Sequence, residues 1–196
     1  MKRIGVFCGS SSGARPDYTK AAVELGSVLV ERGIGVVYGG GRIGLMGRLA
    51  ESVVSAGGDV IGVIPDALSA KELAFEELSD LRVVGSMSER KAVMAELSDG
   101  FIALPGGYGT LDELIEMLTW TQLRLHQKPC GVLNTYNYYE DLLTFFDRGV
   151  AENFLQPEHR SMLLVETEPA ALLDRLESWT PPAIDKTQWI LGLEDG

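Results

Sequence analysis

The chain has 196 residues, of which 45% are hydrophobic and 23% charged, with a formal net charge of −11. That composition describes one globular domain with a substantial core. It argues against a nucleic-acid polymer or an anionic membrane as partner, because both need a broad basic surface.

Strand-like apolar runs fall at residues 4–8, 34–38, 60–64, 82–84, 101–104, 130–133 and 162–165, and helical spacing of apolar residues begins near Asp17, Ile43, Met87, Leu111, Tyr138 and Pro169. This alternation predicts an α/β fold, a doubly wound parallel sheet covered on both faces. From Thr180-Pro181-Pro182 through Trp189 and Ile190 to Glu194-Asp195-Gly196 the chain reads as a tail, which sets the domain at 1–180 and the tail at 181–196. No run approaches the ~20 apolar residues of a membrane helix. Cys8 and Cys130 are the two cysteines, and the apolar run after Met1-Lys2-Arg3 breaks at Gly9-Ser10; a reduced, cytoplasmic protein without a secretory leader is expected. His126 and His159 lie far apart and no Cys-x-x-Cys occurs, so no metal site is expected.

Three loops follow strands, where ligands bind in an open parallel sheet. The first is Cys8-Gly9-Ser10-Ser11-Ser12-Gly13, rich in hydroxyl and N–H donors, in which Gly9 and Ser10 are candidate contacts. The second is Gly39-Gly40-Gly41-Arg42-Ile43-Gly44-Leu45-Met46-Gly47, with Gly40 and Gly41 as candidates. In the third, Pro105-Gly106-Gly107-Tyr108-Gly109-Thr110-Leu111-Asp112-Glu113, a strand, a glycine-rich loop and a helix start meet within ten residues. Such a junction binds anions, because glycines admit close backbone approach and a helix N-terminus offers free N–H groups. Thr110 reads as the N-cap, with Leu111, Leu114, Ile115 and Leu118 as the packed stripe. Glu113 then stands ~4.5 Å along the axis from Thr110, so a bound phosphate and a fixed carboxylate would share one site. The same Thr110-Leu111-Asp112-Glu113 also fits a capping box, a purely structural reading.

Gly39-x-Gly41-x-x-Gly44 with Asp59 downstream formally meets the dinucleotide fingerprint, which keeps an NAD(P)-dependent oxidoreductase as the rival. Asp59 would begin the next strand instead of ending it, and the second glycine loop would have no task. A non-catalytic nucleotide-binding module is the other alternative. No Gly-Lys-Ser/Thr follows either loop, so a Walker loop is absent.

Residues 105–113 match the PGGxGTxxE motif, and the chain resembles the LONELY GUY family of cytokinin riboside 5′-monophosphate phosphoribohydrolases. Cys8-Gly9-Ser10-Ser11, Tyr38-Gly39-Gly40-Gly41 with Gly44-Leu45-Met46-Gly47, Met87 with Glu89-Arg90-Lys91, and the run 103–120 are similar in order and spacing. The resemblance implies a Rossmann-like fold, a homodimer, and hydrolysis of N6-modified AMP, often also AMP, to free base and ribose 5-phosphate without metal or redox cofactor. It makes Arg90 and Glu113 the catalytic pair and places Glu72, Met87, Lys91, Gly107, Tyr108, Gly109, Thr110, Leu111, Asp112 and Thr119 against the nucleotide. Ser88 stands where many members have His, and Arg42 where Ser or Thr often follows the glycines. The name lysine decarboxylase, also used for such proteins, finds no Schiff-base lysine here. Cleaving the bond between ribose and base builds oxocarbenium character, which an ionised carboxylate stabilises while it orients water. With an ordinary pKa of ~4.3 and a helix N-terminus beside it, Glu113 is expected to be ionised; Arg90, always cationic, is a clamp for negative charge. Met117 and Trp120, off the expected stripe, are the surface on which the homodimer is expected to close.

Overall fold

The computed structural model describes residues 1–69, 75, 78 and 80–183. Seven strands run through them: β1 (Arg3–Phe7), β2 (Gly35–Tyr38), β3 (Val60–Pro65), β4 (Asp80–Val84), β5 (Gly100–Ala103), β6 (Cys130–Leu133) and β7 (Leu163–Glu166). They form one parallel sheet in the order β4-β3-β2-β1-β5-β6-β7. Every expected strand is present, shifted by no more than two residues at either end.

The helices are α1 (Pro16–Glu31), α2 (Gly44–Ser55), α3 (Asp66–Leu68), α4 (Met87–Leu97), α5 (Tyr108–Gln122), α6 (Glu140–Ala151), α7 (Pro157–Arg160) and α8 (Pro169–Ser178). Among the described residues, only α3, α7 and a 3-10 turn at Thr135–Asn137 were not expected, since elements of three or four residues are too short to display a helical period.

Strand alternation divides the core between the two faces of the sheet. Ile4, Val6 and Cys8 point to one side and pack with Leu25 and Leu29 of α1, Leu45 and Leu49 of α2, and Leu172 of α8. Phe7 points to the other, among Phe101, Met94 of α4, Leu114 and Met117 of α5, and Leu143 of α6. The chain leaves β1 for one face and β5 for the other, although these strands are neighbours in the sheet. That divergence opens a crevice beyond their carboxyl ends, the switch point of a doubly wound sheet.

The three loops meet there. Gly9 N–H donates to Pro105 O at 3.0 Å, and Leu45 N–H donates to Gly9 O at 3.1 Å. Gly44 has φ +64°, and a Cβ there would fall on the backbone of Ser10, so glycine is required for the second loop to close against the first.

Two local expectations are corrected. The N-cap of α5 is Gly107, without a side-chain cap, and Thr110 lies buried inside the first turn. A glycine already frees the loop at that end, so the threonine has no cap to supply. Thr110 instead packs its hydroxyl against Gly106, where any Cβ would clash with it. The buried face of α5 is Thr110, Glu113, Leu114, Met117 and Thr121, rotated from the expected stripe, and Ile115 is exposed. Met117, 1% exposed, is therefore core within the subunit and supplies no dimer surface, while Trp120 packs partly against the same core.

A genuine capping arrangement opens α4. Ser86 Oγ accepts from Glu89 N–H at 3.1 Å, and Glu89 Oε2 accepts from Gly85 N–H at 2.7 Å, fixing the first turn in front of Arg90. At the far end, Ala183 O accepts from Arg124 Nη2 at 2.7 Å, which rests the start of the expected tail on the loop after α5. Trp189 and Ile190 lie outside the described residues.

Candidate active site

The crevice holds a cavity of ≈ 360 Å³ lined by all three loops. Of the candidate residues, Gly9, Ser10, Gly41, Arg90, Gly107, Tyr108, Gly109, Thr110 and Glu113 are brought together in its lining. Its glycine end is the approach to α5, where Gly107 caps the helix without a side chain and leaves first-turn N–H groups for an anion. Tyr108 stands at the mouth and is 95% exposed.

The charged end is one ion pair. Arg90 Nη1 lies 2.9 Å from Glu113 Oε1, and both side chains are buried. Arg90 is held further by Nε, which donates at 3.0 Å to Val63 O within β3, and by Met87 Sδ, 3.9 Å from Nη1. Burial pushes the Glu113 carboxyl above its ordinary range, and Asp112 and Glu116 push the same way; Arg90 and Lys91 pull it back. The expectation of an unperturbed carboxylate beside a helix N-terminus is thus corrected. Glu113 lies in the second turn of α5, past the reach of the terminal dipole, and Arg90 is what favours its charged form. The thiol of Cys8 also lines the cavity and is held neutral by burial, with Glu113 raising it further and Arg90 opposing.

Other expected contacts stand elsewhere. Lys91 bridges α4 to α5, its Nζ 2.9 Å from Asp112 Oδ2 and 2.8 Å from Glu116 Oε2, so both Lys91 and Asp112 are engaged with each other outside the cavity lining. Gly40, with φ +72°, turns away and its O accepts from Phe75 N–H at 2.9 Å. Leu111 and Thr119 line a separate surface hollow with Ile115 and Trp120. Met87 is exposed and reaches the site through the Arg90 contact. Glu72 lies outside the described residues. Arg42 and Ser88 are exposed and do not line the cavity.

Sequence reading missed the apolar wall of Ile43, Met46, Ile64 and Leu68, and the lining by Gly39. The signal was available: the carboxyl end of β3 reaches the crevice by the same rule that marked the other three loops. Asp59 fails the dinucleotide reading on position. It precedes β3, at the amino end of the sheet, and pairs with Arg3 at 3.9 Å, whereas the crevice lies at the carboxyl ends.

A Rossmann-like sheet with an anion-type glycine loop and a buried Arg–Glu pair at its switch point defines a nucleotide-handling α/β protein. Comparison with known proteins makes it particular. A family model described as "Possible lysine decarboxylase" matches residues 46–176. The chain is 52% identical over 187 residues to "Probable cytokinin riboside 5'-monophosphate phosphoribohydrolase LOGL5" of Oryza sativa subsp. japonica, covering 95% of this chain and 76% of that protein. It is 49% identical over 181 residues to the cytokinin riboside 5'-monophosphate phosphoribohydrolase LOG7 of Arabidopsis thaliana, covering 92% of this chain and 83% of that one. The chain belongs to the LONELY GUY family of phosphoribohydrolases. In fold it matches the molybdenum cofactor binding protein of Rippkaea orientalis, with TM-score 0.69, 22% identity and coverage of 90% of this chain and 96% of that one. The molybdenum cofactor carrier protein of Chlamydomonas reinhardtii matches with TM-score 0.68, 24% identity and coverage of 91% and 99%.

Proposed function

We propose that this protein hydrolyses the N-glycosidic bond of adenosine 5′-monophosphates, N6-modified ones included, to free base and ribose 5-phosphate. The observation that carries the reading is the buried Arg90–Glu113 pair, 2.9 Å apart, sharing one cavity with the Gly107 loop. The phosphate occupies the glycine end, the base lies toward Ile43, Met46, Ile64 and Leu68, and the anomeric carbon comes to Glu113. Glu113, ionised, stabilises the oxocarbenium character that develops as the bond to the base breaks, and it orients the water that adds to the anomeric carbon and takes that water's proton. Arg90 keeps the carboxylate charged and binds the nucleotide. The departing base is protonated from water. The printed names of the relatives support this substrate class.

Incubation with AMP, N6-isopentenyl AMP and the matching nucleosides, with products separated by chromatography, tests it. Base and ribose 5-phosphate should form from the monophosphates with little turnover of the nucleosides. Equal nucleoside rates would remove phosphate anchoring, and binding without hydrolysis would leave a nucleotide-binding module.

A cytoplasmic homodimer is part of the same reading. No helix among the described residues is long and apolar enough to cross a membrane. The dimer is supported by the outward placement of Ile115 and Thr119 on α5: Thr119, implied as a nucleotide contact, would reach a nucleotide only in a second copy. Light scattering at micromolar concentration should give twice 21.3 kDa; a monomer overturns it.

A further inference from the structure

Arg90 is gripped on every side that the structure displays. Nε is spent on Val63 O, Nη1 on Glu113 and Met87 Sδ, and Nη2 occupies the space just past β2 that a Cβ on Gly39 would take. A Cβ built on Gly39 would clash with Nη2 and would lie 3.1 Å from Cζ and 3.0 Å from Met46 Sδ. No positive φ demands glycine at this position, so the reason for its bare Cα is the guanidinium. We propose that Gly39 is a positioning residue for Arg90: the missing side chain makes the slot in which the guanidinium reaches Glu113.

The inference rests on the phosphoribohydrolase reading for its kinetic consequence, though not for its geometry. A methyl at residue 39 would land on side-chain atoms and not on the main chain, so the sheet stays intact and the guanidinium has to leave the position its contacts hold. The pair at Glu113 then opens. The groups facing Glu113 are Arg90 and Lys91 from α4, Asp112 and Glu116 on its own helix, and Cys8 from the end of β1. Moving Arg90 away removes the larger of its two cationic neighbours and leaves burial and the two acidic ones, so the carboxyl should titrate at higher pH.

Gly39→Ala, Arg90→Ala and the double variant form the test, read by kcat/KM on AMP and by the ¹³C titration of the Glu113 side-chain carboxyl, assigned by its loss in Glu113→Gln. Gly39→Ala should lower kcat/KM on the order of 100-fold, the cost of displacing a positioned group by about 1 Å, and should raise the Glu113 midpoint in the same direction as Arg90→Ala. Added to Arg90→Ala it should do nothing further in either measurement. Multiplying losses would mean that the methyl obstructs the nucleotide directly, and an unmoved midpoint would mean that Arg90 never leaned on residue 39; either overturns the proposal. If Gly39→Ala alone fails to fold, the double variant must fold, because it empties the space the methyl needs; its failure also overturns the proposal. A wild-type protein inert toward every nucleotide would defeat the functional reading and leave the titration to decide this one.

Discussion

The two ends of the crevice are built from different materials. At the glycine end the loops of β1, β2 and β5 are tied by main-chain bonds such as Gly9 N–H to Pro105 O, and α5 starts on Gly107 with no side-chain cap. At the other end two long, oppositely charged side chains from different helices are buried against each other. Main-chain donors carry no proton that titrates in the working range, so the glycine end can hold an anion at any ordinary pH. The charged end depends on protonation. Binding and chemistry are thereby separable, and mutations at the two ends should divide between KM and kcat.

The largest effect is expected at the charged end. Glu113→Gln keeps the shape and a hydrogen-bonding partner for Arg90 but removes the charge. Turnover should fall at least ~100-fold, the lower range for a positioned acid or base, in a protein that still unfolds cooperatively. Arg90→Ala should do likewise and weaken nucleotide binding as well. A Glu113→Gln enzyme with near wild-type kcat would sink the chemical role of the carboxylate and make the two ends equivalent.

The second expectation concerns pH. Burial raises the Glu113 carboxyl and Arg90 opposes it, and the reactive form is the ionised one, so the acid limb of kcat/KM should lie above the ordinary carboxylate range. In Arg90→Ala the limb should move higher still. The same shift gives the sign for stability: a carboxyl raised on folding favours the native state below its unfolded pKa, and that contribution is lost as pH rises through the folded value. The form that does the chemistry is thus the one the fold favours less. A limb near pH 4 in the wild type, unmoved by Arg90→Ala, would show that the pair is not what tunes the site.

The difference between the ends also explains what could be read in advance. The seven strands and three loops were legible because apolar runs and glycine punctuation are local signals, and the rule that ligands bind at carboxyl ends needs only strand order. Glu113 was marked by its place after the third glycine loop, Arg90 came through family resemblance, and their pairing spans two helices, which periodicity does not encode. Local signals also misled. Thr110-Leu111-Asp112-Glu113 has the spacing of a capping box but is preceded by a glycine that already frees the helix start, whereas Ser86-Met87-Ser88-Glu89 has the same spacing and does cap. The distinction lies in what precedes each motif and in where the glutamate is drawn, toward Gly85 in one and Arg90 in the other. Lys91, next to Arg90 in sequence, turns to Asp112 and Glu116; no spacing rule separates those two fates.

The smallest effect belongs to the glycine end. Tyr138 Oη donates to Gly106 O at 2.6 Å, from a loop where Tyr136 and Asn137 both hold left-handed φ of 56°. In a trans peptide the carbonyl and the following N–H point opposite ways, so a donor holding Gly106 O from outside fixes the direction of Gly107 N–H, on the residue that lines the cavity. Tyr138 is 43% exposed, so water can replace its hydroxyl and no buried acceptor is stranded. Tyr138→Phe should therefore leave the melting temperature nearly unchanged and cost about 0.5–1.5 kcal/mol of nucleotide binding, the net worth of one hydrogen bond, or a rise in KM of roughly 2- to 10-fold. With the charged end untouched, kcat and the acid limb should stay where they are. A fall in kcat matching the rise in KM would show that the two ends are mechanically one, because a small turn of the glycine loop would then be reaching Glu113 through α5.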